Sequence, residues 1–297
     1  MTKTRTFRHT LLSTVLLTAL AAGCGGDKPE SLIASGKDFL AKNDNKAATI
    51  QFKNALQQNP NLGEARFLLG KALLDSGDMA GAEIELRKAL ELKYPTDQAA
   101  PPLARALLGT GQAKKVTDEF ASLELPTGEP AASLKTTLSQ AYLAQGNSEA
   151  SATALAAALA AQPDYAPALL ASARKMAANK DISGALTVVD GILSKTPDNH
   201  ETLLFKGSLL AAQGDQSAAL DFYHKAVNAR PDFLLAHSAI IGSLLQQGKL
   251  DDAAKQVDTL KKIAPKHPQT VFLETQRAYQ RKDSNTAREL TQPLLKL

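Results

Sequence analysis

The stretch Ala34-Ser35-Gly36-Lys37-Asp38-Phe39-Leu40-Ala41-Lys42-Asn43-Asp44, with Ile50-Gln51-Phe52-Lys53-Asn54-Ala55-Leu56-Gln57 after it, decides the fold. Its pattern returns in Glu64-Ala65-Arg66-Phe67-Leu68-Leu69-Gly70-Lys71-Ala72-Leu73-Leu74 and in Glu83-Ile84-Glu85-Leu86-Arg87-Lys88-Ala89-Leu90. Stacked on starts at Pro29, Gly63, Asp97, Ala132, Ala166, His200, Leu234 and Pro268, the chain keeps one register, with a single extra residue before Ala132. The eighth position is small in most rows: Gly36, Gly70, Ala104, Ser139, Ala173 and Gly207. The twenty-fourth is mostly large and apolar, from Phe52, Leu86 and Phe120 to Leu155, Val189, Tyr223 and Val257. Small against large at fixed spacing lets two antiparallel helices approach closely and fill the gap between them.

Punctuation repeats with the same period. Position fifteen carries Asn43, Gly77, Gly111, Gly146, Gly214 and Gly248, residues that accept the left-handed backbone ending a helix. Pro60, Pro163, Pro197, Pro231 and Pro265 close the second helix at position thirty-two, with Asp164, Asp198 and Asp232 following near the next expected helix start. No stretch alternates apolar and polar residues as a strand does, so the chain reads as all-α. Repeats of this length and grammar resemble the tetratricopeptide (TPR) pattern. The resemblance implies a right-handed solenoid of about eight helix–turn–helix units over residues 31–297, each burying its apolar face on its neighbours. Unit three is irregular, over about 97–130. It holds Pro101-Pro102 inside its expected first helix, lacks the closing proline, and runs into Leu125-Pro126-Thr127-Gly128-Glu129-Pro130. Proline is accepted in a first helical turn and not deeper, so that helix is expected to begin late, near Pro101. The last unit is incomplete at Leu297, stopping inside its expected second helix with no polar capping helix after it, which leaves open that the chain is a fragment of a longer array.

Residues 1–23 have another composition. Lys3, Arg5 and Arg8 precede an apolar run from Leu11 to Leu20, and Ala21-Ala22-Gly23 lead into Cys24, the one cysteine of the chain. This order describes a secretory signal peptide. Leu20-Ala21-Ala22-Gly23-Cys24 resembles a bacterial lipobox, departing from it in having Ala21 where leucine is preferred. The resemblance implies lipidation of Cys24 and cleavage before it, with residues 24–30 as a tether. Gly25 in place of an aspartate implies outer-membrane sorting, on the periplasmic face. The alternative is an ordinary secreted protein with Cys24 near its cleavage site. With a single cysteine, no intrachain disulfide is available.

The full chain has 34 basic and 30 acidic residues. Taking the three bases of residues 1–23 from 34 leaves 31 against 30, a net +1, so the high isoelectric point is no sign of nucleic-acid binding. His9, His200, His224, His237 and His267 do not pair at helical ligand spacing, and no phosphate loop or nucleophile elbow is written in the chain, so no catalytic residue, metal site or cofactor is expected.

A binding surface is legible. In TPR arrays the first helices line the concave groove, and register position nine points into it. Here it reads Lys37, Lys71, Arg105, Gln140 and Arg174, basic in four of five units, and then Ser208, Gly242 and Gln276. This strip suits an acidic polysaccharide or an acidic peptide, or is ordinary surface charge. Phe67 stands at position five, and Leu204, Phe205, Leu235 and Phe272 make the later groove apolar, which suits a peptide or partner helix. The residues that clamp a C-terminal carboxylate in chaperone-binding TPR proteins are absent, since Ile33, Phe67 and Pro101 hold position five.

The stretches quoted at the outset, taken with the lipobox, resemble the TPR lipoprotein of PEP-CTERM/exosortase gene clusters, the PrsT family, whose members are considerably longer. The resemblance implies a non-catalytic, membrane-anchored scaffold beside exopolysaccharide production and protein sorting at a Gram-negative envelope. Two other readings stay open: a lipoprotein assembling outer-membrane proteins or pili, and the TPR arm of a protein with a catalytic domain beyond residue 297.

Overall fold

The computed structural model describes residues 27–265 and 268–294. Cys24 and the whole expected leader lie outside the described residues, as do His267 and Leu297. Regular structure among the described residues is helical throughout. The chain divides into two compact units, the first ending at Ala154 and the second beginning at Leu155.

The first unit contains α1 (Pro29–Ala41), α2 (Asn45–Gln58), α3 (Gly63–Asp75), α4 (Met79–Glu91), α5 (Thr96–Gly109), α6 (Ala113–Phe120) and α7 (Glu129–Ala144), and the division falls within α8 (Ser148–Ala161). Each helix packs on the next, and α1, α3, α5 and α7 also touch in succession. Phe52 is fully buried beneath Gly36, and Leu86 lies beneath Gly70. A Cβ added at Gly70 would stand 2.6 Å from Leu86 Cγ, so the approach of the neighbouring helix leaves no room for a larger residue there.

The second unit contains α9 (Ala166–Ala178), α10 (Ile182–Lys195), α11 (His200–Ala212), α12 (Gln216–Ala229), α13 (Leu234–Gln246), α14 (Leu250–Ile263), α15 (Pro268–Gln280) and α16 (Ser284–Leu294). Its core runs through successive clusters. Leu170, Val189, Ile192 and Leu209 form one, Tyr223, Ile240 and Leu244 another, and Ile241, Val257, Leu260 and Leu273 a third.

One device joins the two helices of a pair. Asn43 (φ 58°), Gly77 (φ 85°), Gly111 (φ 77°), Gly146 (φ 77°), Gly214 (φ 90°) and Gly248 (φ 71°) take the left-handed backbone that the sequence assigns to position fifteen. The next residue's N–H then reaches back five residues, as in Asp44→Phe39 (2.9 Å), Asp78→Leu73 (2.9 Å) and Asp215→Leu210 (3.0 Å), closing the first helix. The same aspartates cap the second helix, whose N–H groups donate to them from Ala47 (3.0 Å), Gly81 (2.9 Å) and Ala218 (3.0 Å). Lys180 (φ 68°) and Lys282 (φ 60°) adopt that backbone without glycine.

One expectation is corrected. Helix α5 starts at Thr96, five residues before Pro101, and carries both prolines inside it. Adjacent prolines remove N–H groups only from the carbonyls of Asp97 and Gln98, in the first turn, where water reaches. The opposite gain is large: Ala99, Ala100, Leu103, Ala104, Ala106 and Leu107 are all essentially buried. Asp164, Asp198 and Asp232 stand two residues before the starts of α9, α11 and α13, near the helix starts as the sequence places them. The caps fall later, at Tyr165, Asn199 and Phe233, and only Asn199 accepts an N–H, from Thr202 at 3.0 Å. Asp164 instead faces Lys195 and Asp232 faces Arg230.

Where the sequence breaks register, α6 has only eight residues, and a loop with Gly128 at φ 115° leads into the sixteen-residue α7.

Candidate binding surface

In the first unit, α1, α3 and α5 lie side by side, and the 34-residue register brings Lys37, Lys71 and Arg105 to equivalent places on them, all exposed. Their surroundings differ. Lys37 Nζ is 2.6 Å from Glu64 Oε1, both side chains about half exposed, so position nine of one repeat is held by position two of the next. Lys71 Nζ stands 5.7 Å from the centroid of the Phe67 ring, one helical turn back on α3. Arg105 is exposed on α5.

Phe67 does not line an open groove. It is 8% exposed, its ring stacks on Tyr94 at 4.5 Å and 20°, and Lys71 stands over it. Tyr94 sits just before α5, in the connection 92–95 that ends at the late proline of unit two. Its hydroxyl donates to Gln98 Oε1 at 2.9 Å. Burial, with the nearby carboxylates of Glu64 and Asp97, raises the Tyr94 hydroxyl above the ordinary phenol range, so it remains a donor at neutral pH. At this register position the first unit thus leaves Lys71 and Arg105 exposed, with Lys37 paired to Glu64.

In the second unit Arg174 is exposed on α9, its guanidinium carbon 5.7 Å from the centroid of the Phe205 ring on α11. Phe205 is half-buried against the Leu170–Val189–Leu209 cluster, and Leu204 packs toward Tyr223 and Ile240. These two residues serve packing first and present only an edge outward. Phe272 is different. It is 53% exposed on α15 and, with Thr275, Gln276, Tyr279, Ala287, Arg288 and Thr291, lines an open cleft of about 370 Å³.

Sequence reasoning did not single out Glu64, Tyr94 or Tyr279. Tyr279, 78% exposed, occupies position twelve of the last repeat, three residues after position nine on the same first helix, so the register could have placed it. Glu64 at position two was equally legible once position nine of the preceding repeat is seen to face it.

Among the described histidines, His237 and His200 are held by packing and His224 is exposed on α12. His237 is 1% exposed, with Nε2 2.9 Å from Pro231 O and Nδ1 2.6 Å from Gln256 Nε2. His200 packs edge-on to Phe233 at 4.7 Å, and burial, followed by the charge of Arg230, lowers its pKa below the ordinary histidine value. Among the described residues no helix is long and apolar enough to cross a membrane.

Profiles of the tetratricopeptide repeat match residues 33–104, 142–204 and 210–270. The uncharacterized protein y4yS of Sinorhizobium fredii (strain NBRC 101917 / NGR234) is 31% identical over 87 residues, 29% of this chain and 48% of that protein, so the match spans about half the length of the curated relative. A tetratricopeptide repeat protein from Parabacteroides merdae ATCC 43184 superposes with a TM-score of 0.57 at 17% identity, over 84% of this chain and 98% of its own. Yeast Tom70 gives 0.58 at 15%, over 91% and 60% of the two chains. PilW, titled a widely conserved type IV pilus biogenesis factor, gives 0.50 at 18%, over 69% and 94%. At these identities the structures share the fold with this chain.

Proposed function

Because the chain belongs to the tetratricopeptide repeat superfamily, a group of protein-interaction scaffolds, we propose that it works as a non-catalytic scaffold held at a bacterial envelope by lipid on Cys24. In this reading it supports exopolysaccharide production and PEP-CTERM protein sorting from the periplasmic face of the outer membrane. The observation that carries the binding role is the repetition of exposed cations at one register position on the neighbouring helices α1, α3 and α5. A row of fixed charges attracts an acidic polymer or acidic peptide with little demand on its conformation. Lys71 and Arg105 are the principal contacts. Lys37 contributes less, since a ligand must displace Glu64 to reach it. Arg174 and the Phe272–Tyr279 cleft are separate contacts in the second unit, suited to a peptide with aromatic or aliphatic side chains.

The test of the pathway is genetic. Deleting the gene should reduce secreted exopolysaccharide and leave PEP-CTERM proteins unsorted. The wild-type gene should restore both, and the Lys71→Glu/Arg105→Glu variant should not. Normal polysaccharide and sorting in the deletion strain would refute the assignment. Pilus assembly is the second reading, prompted by the likeness to PilW, and loss of pili in the same deletion strain would favour it.

A further inference from the structure

Helix α2 packs on its neighbours through Ala48, Phe52, Ala55 and Leu56, so its other face points away from α1 and α3. That outer face carries Lys46, Ile50, Lys53 and Gln57, all exposed, at i, i+4, i+7 and i+11, a single stripe along the helix. Ile50 is 58% exposed in the middle of it. The helix has two lysines and no carboxylate, and its capping Asp44 is occupied by the Ala47 N–H. In the next repeat the same register position holds Ile84, 54% exposed, one turn before Lys88. Farther along, that position becomes Asp118 in unit three and Asp221 in unit six. An apolar residue at this position is thus confined to the first two repeats, and in the second Lys88 also lies 4.0 Å from Glu85.

The incoming chain is fixed to the same helix. Gln58 Nε2, at the end of α2, donates to the backbone oxygen of Asp27 at 2.8 Å. Cys24 lies three residues upstream, at most about 11 Å of extended backbone. Ile50 lies eight residues back from Gln58, about 12 Å along the helix axis. A lipid on Cys24 is therefore held within a short reach of the Lys46–Ile50–Lys53 stripe.

We propose that this outer face of α2, continued by Ile84, docks on the phospholipid bilayer that receives the anchor. Ile50 and Ile84 enter the headgroup boundary, and Lys46, Lys53 and Lys88 meet anionic headgroups. The inference rests on lipidation of Cys24, which supplies the proximity, while the stripe supplies the orientation. Docking through this face leaves the first-helix side of α1 and α3 open to partners.

The chain has one cysteine, so in the lipidated protein an introduced cysteine is the only free thiol. Mature protein carrying Ile50→Cys, Ile84→Cys or Asp221→Cys is labelled with a polarity-sensitive fluorophore and reconstituted in vesicles with one part anionic lipid in about three, the surface that juxtamembrane lysines recognise. Labels at 50 and 84 should shift to the blue and resist an aqueous quencher, and the label at 221 should do neither. Lys46→Glu and Lys53→Glu, both at exposed sites, should each raise the ratio of quenchable to protected label at 50 about fivefold. Equal quenching at all three sites would overturn the proposal. Protection at 50 and 84 in native envelopes but not in protein-free vesicles would also overturn it, and would give the face to a protein. Mass spectrometry of Cys24 reports separately on the anchor. If Cys24 is unmodified and capped before labelling, the anchor reading falls, and the same quenching measurement with added vesicles still decides the α2 face.

Discussion

Replacing glycine by alanine should have opposite effects at two helical sites in the second unit, and the difference isolates the close approach on which each repeat depends. Gly191 lies inside α10 with nothing within 4 Å of an added Cβ. Gly207 lies inside α11, where the added Cβ would stand 2.5 Å from Tyr223 Cε1, 2.6 Å from Cδ1 and 3.0 Å from the Ala219 carbonyl oxygen. The helix-propensity gain of about 1 kcal/mol is common to both. At Gly191 it is the whole effect, so Gly191→Ala should stabilise by about 0.4–1 kcal/mol. At Gly207 the Tyr223 ring has no easy escape, because it is 6% exposed and a backbone oxygen stands beside it. Overpacking of this kind costs about 1–3 kcal/mol, which cancels or exceeds the gain. The two variants should therefore differ by about 1–3 kcal/mol, the overpacking term alone. Urea unfolding followed by circular dichroism, at one protein concentration for all three proteins, reads the difference. Equal or greater stability of Gly207→Ala would refute the packing account of position eight.

Other outcomes follow from single contacts. Arg66 and Glu85, each 15% exposed, meet at 2.6 Å, and Arg66 also donates twice to Pro60 O; Arg66→Ala should cost about 1.5–3 kcal/mol by melting, and Arg66→Ala/Glu85→Ala should recover part of it. The native pKa of His200 is lowered, so the unfolded chain binds its proton first as pH falls below about 6.5; stability contributed by the neutral ring is full above that pH and is lost below it. His200→Gln should flatten the fall of melting temperature between about pH 7.5 and 5.5, and an unchanged slope would exclude the ring as its source. Wild type should incorporate a clickable fatty acid and fractionate with membranes, and Cys24→Ser should do neither; equal labelling would leave no lipid anchor at that residue.

The repeat was open to sequence reading because small and large residues alternate at positions whose neighbours the period itself dictates, as with Gly36 above Phe52. Turn glycines were legible for the same reason. Lys180 and Lys282 were not, since lysine carries no left-handed preference and the surrounding helices impose the backbone. The full length of α5 was hidden because local proline chemistry argues for a late start, while burial of the opposite alanine and leucine face decides the outcome. At the candidate site the exposed cations could be placed by register, but their partners could not. Glu64 on Lys37, and Tyr94 on Phe67, depend on how one repeat sits on the next. Phe67 thereby becomes a packing residue in place of a groove contact.

The binding role of the first-helix surface is tested most directly by titrating wild type and two charge-reversed variants with the acidic exopolysaccharide of the native organism. Lys71→Glu/Arg105→Glu alters α3 and α5, and Lys255→Glu/Lys262→Glu alters exposed lysines of the second helix α14. Wild type should bind, and binding should weaken as salt rises from about 0.05 to 0.5 M, as counterions screen each contact. The first variant should lose binding and the second should keep most of it. Equal binding by both variants, or none by wild type, would contradict the account.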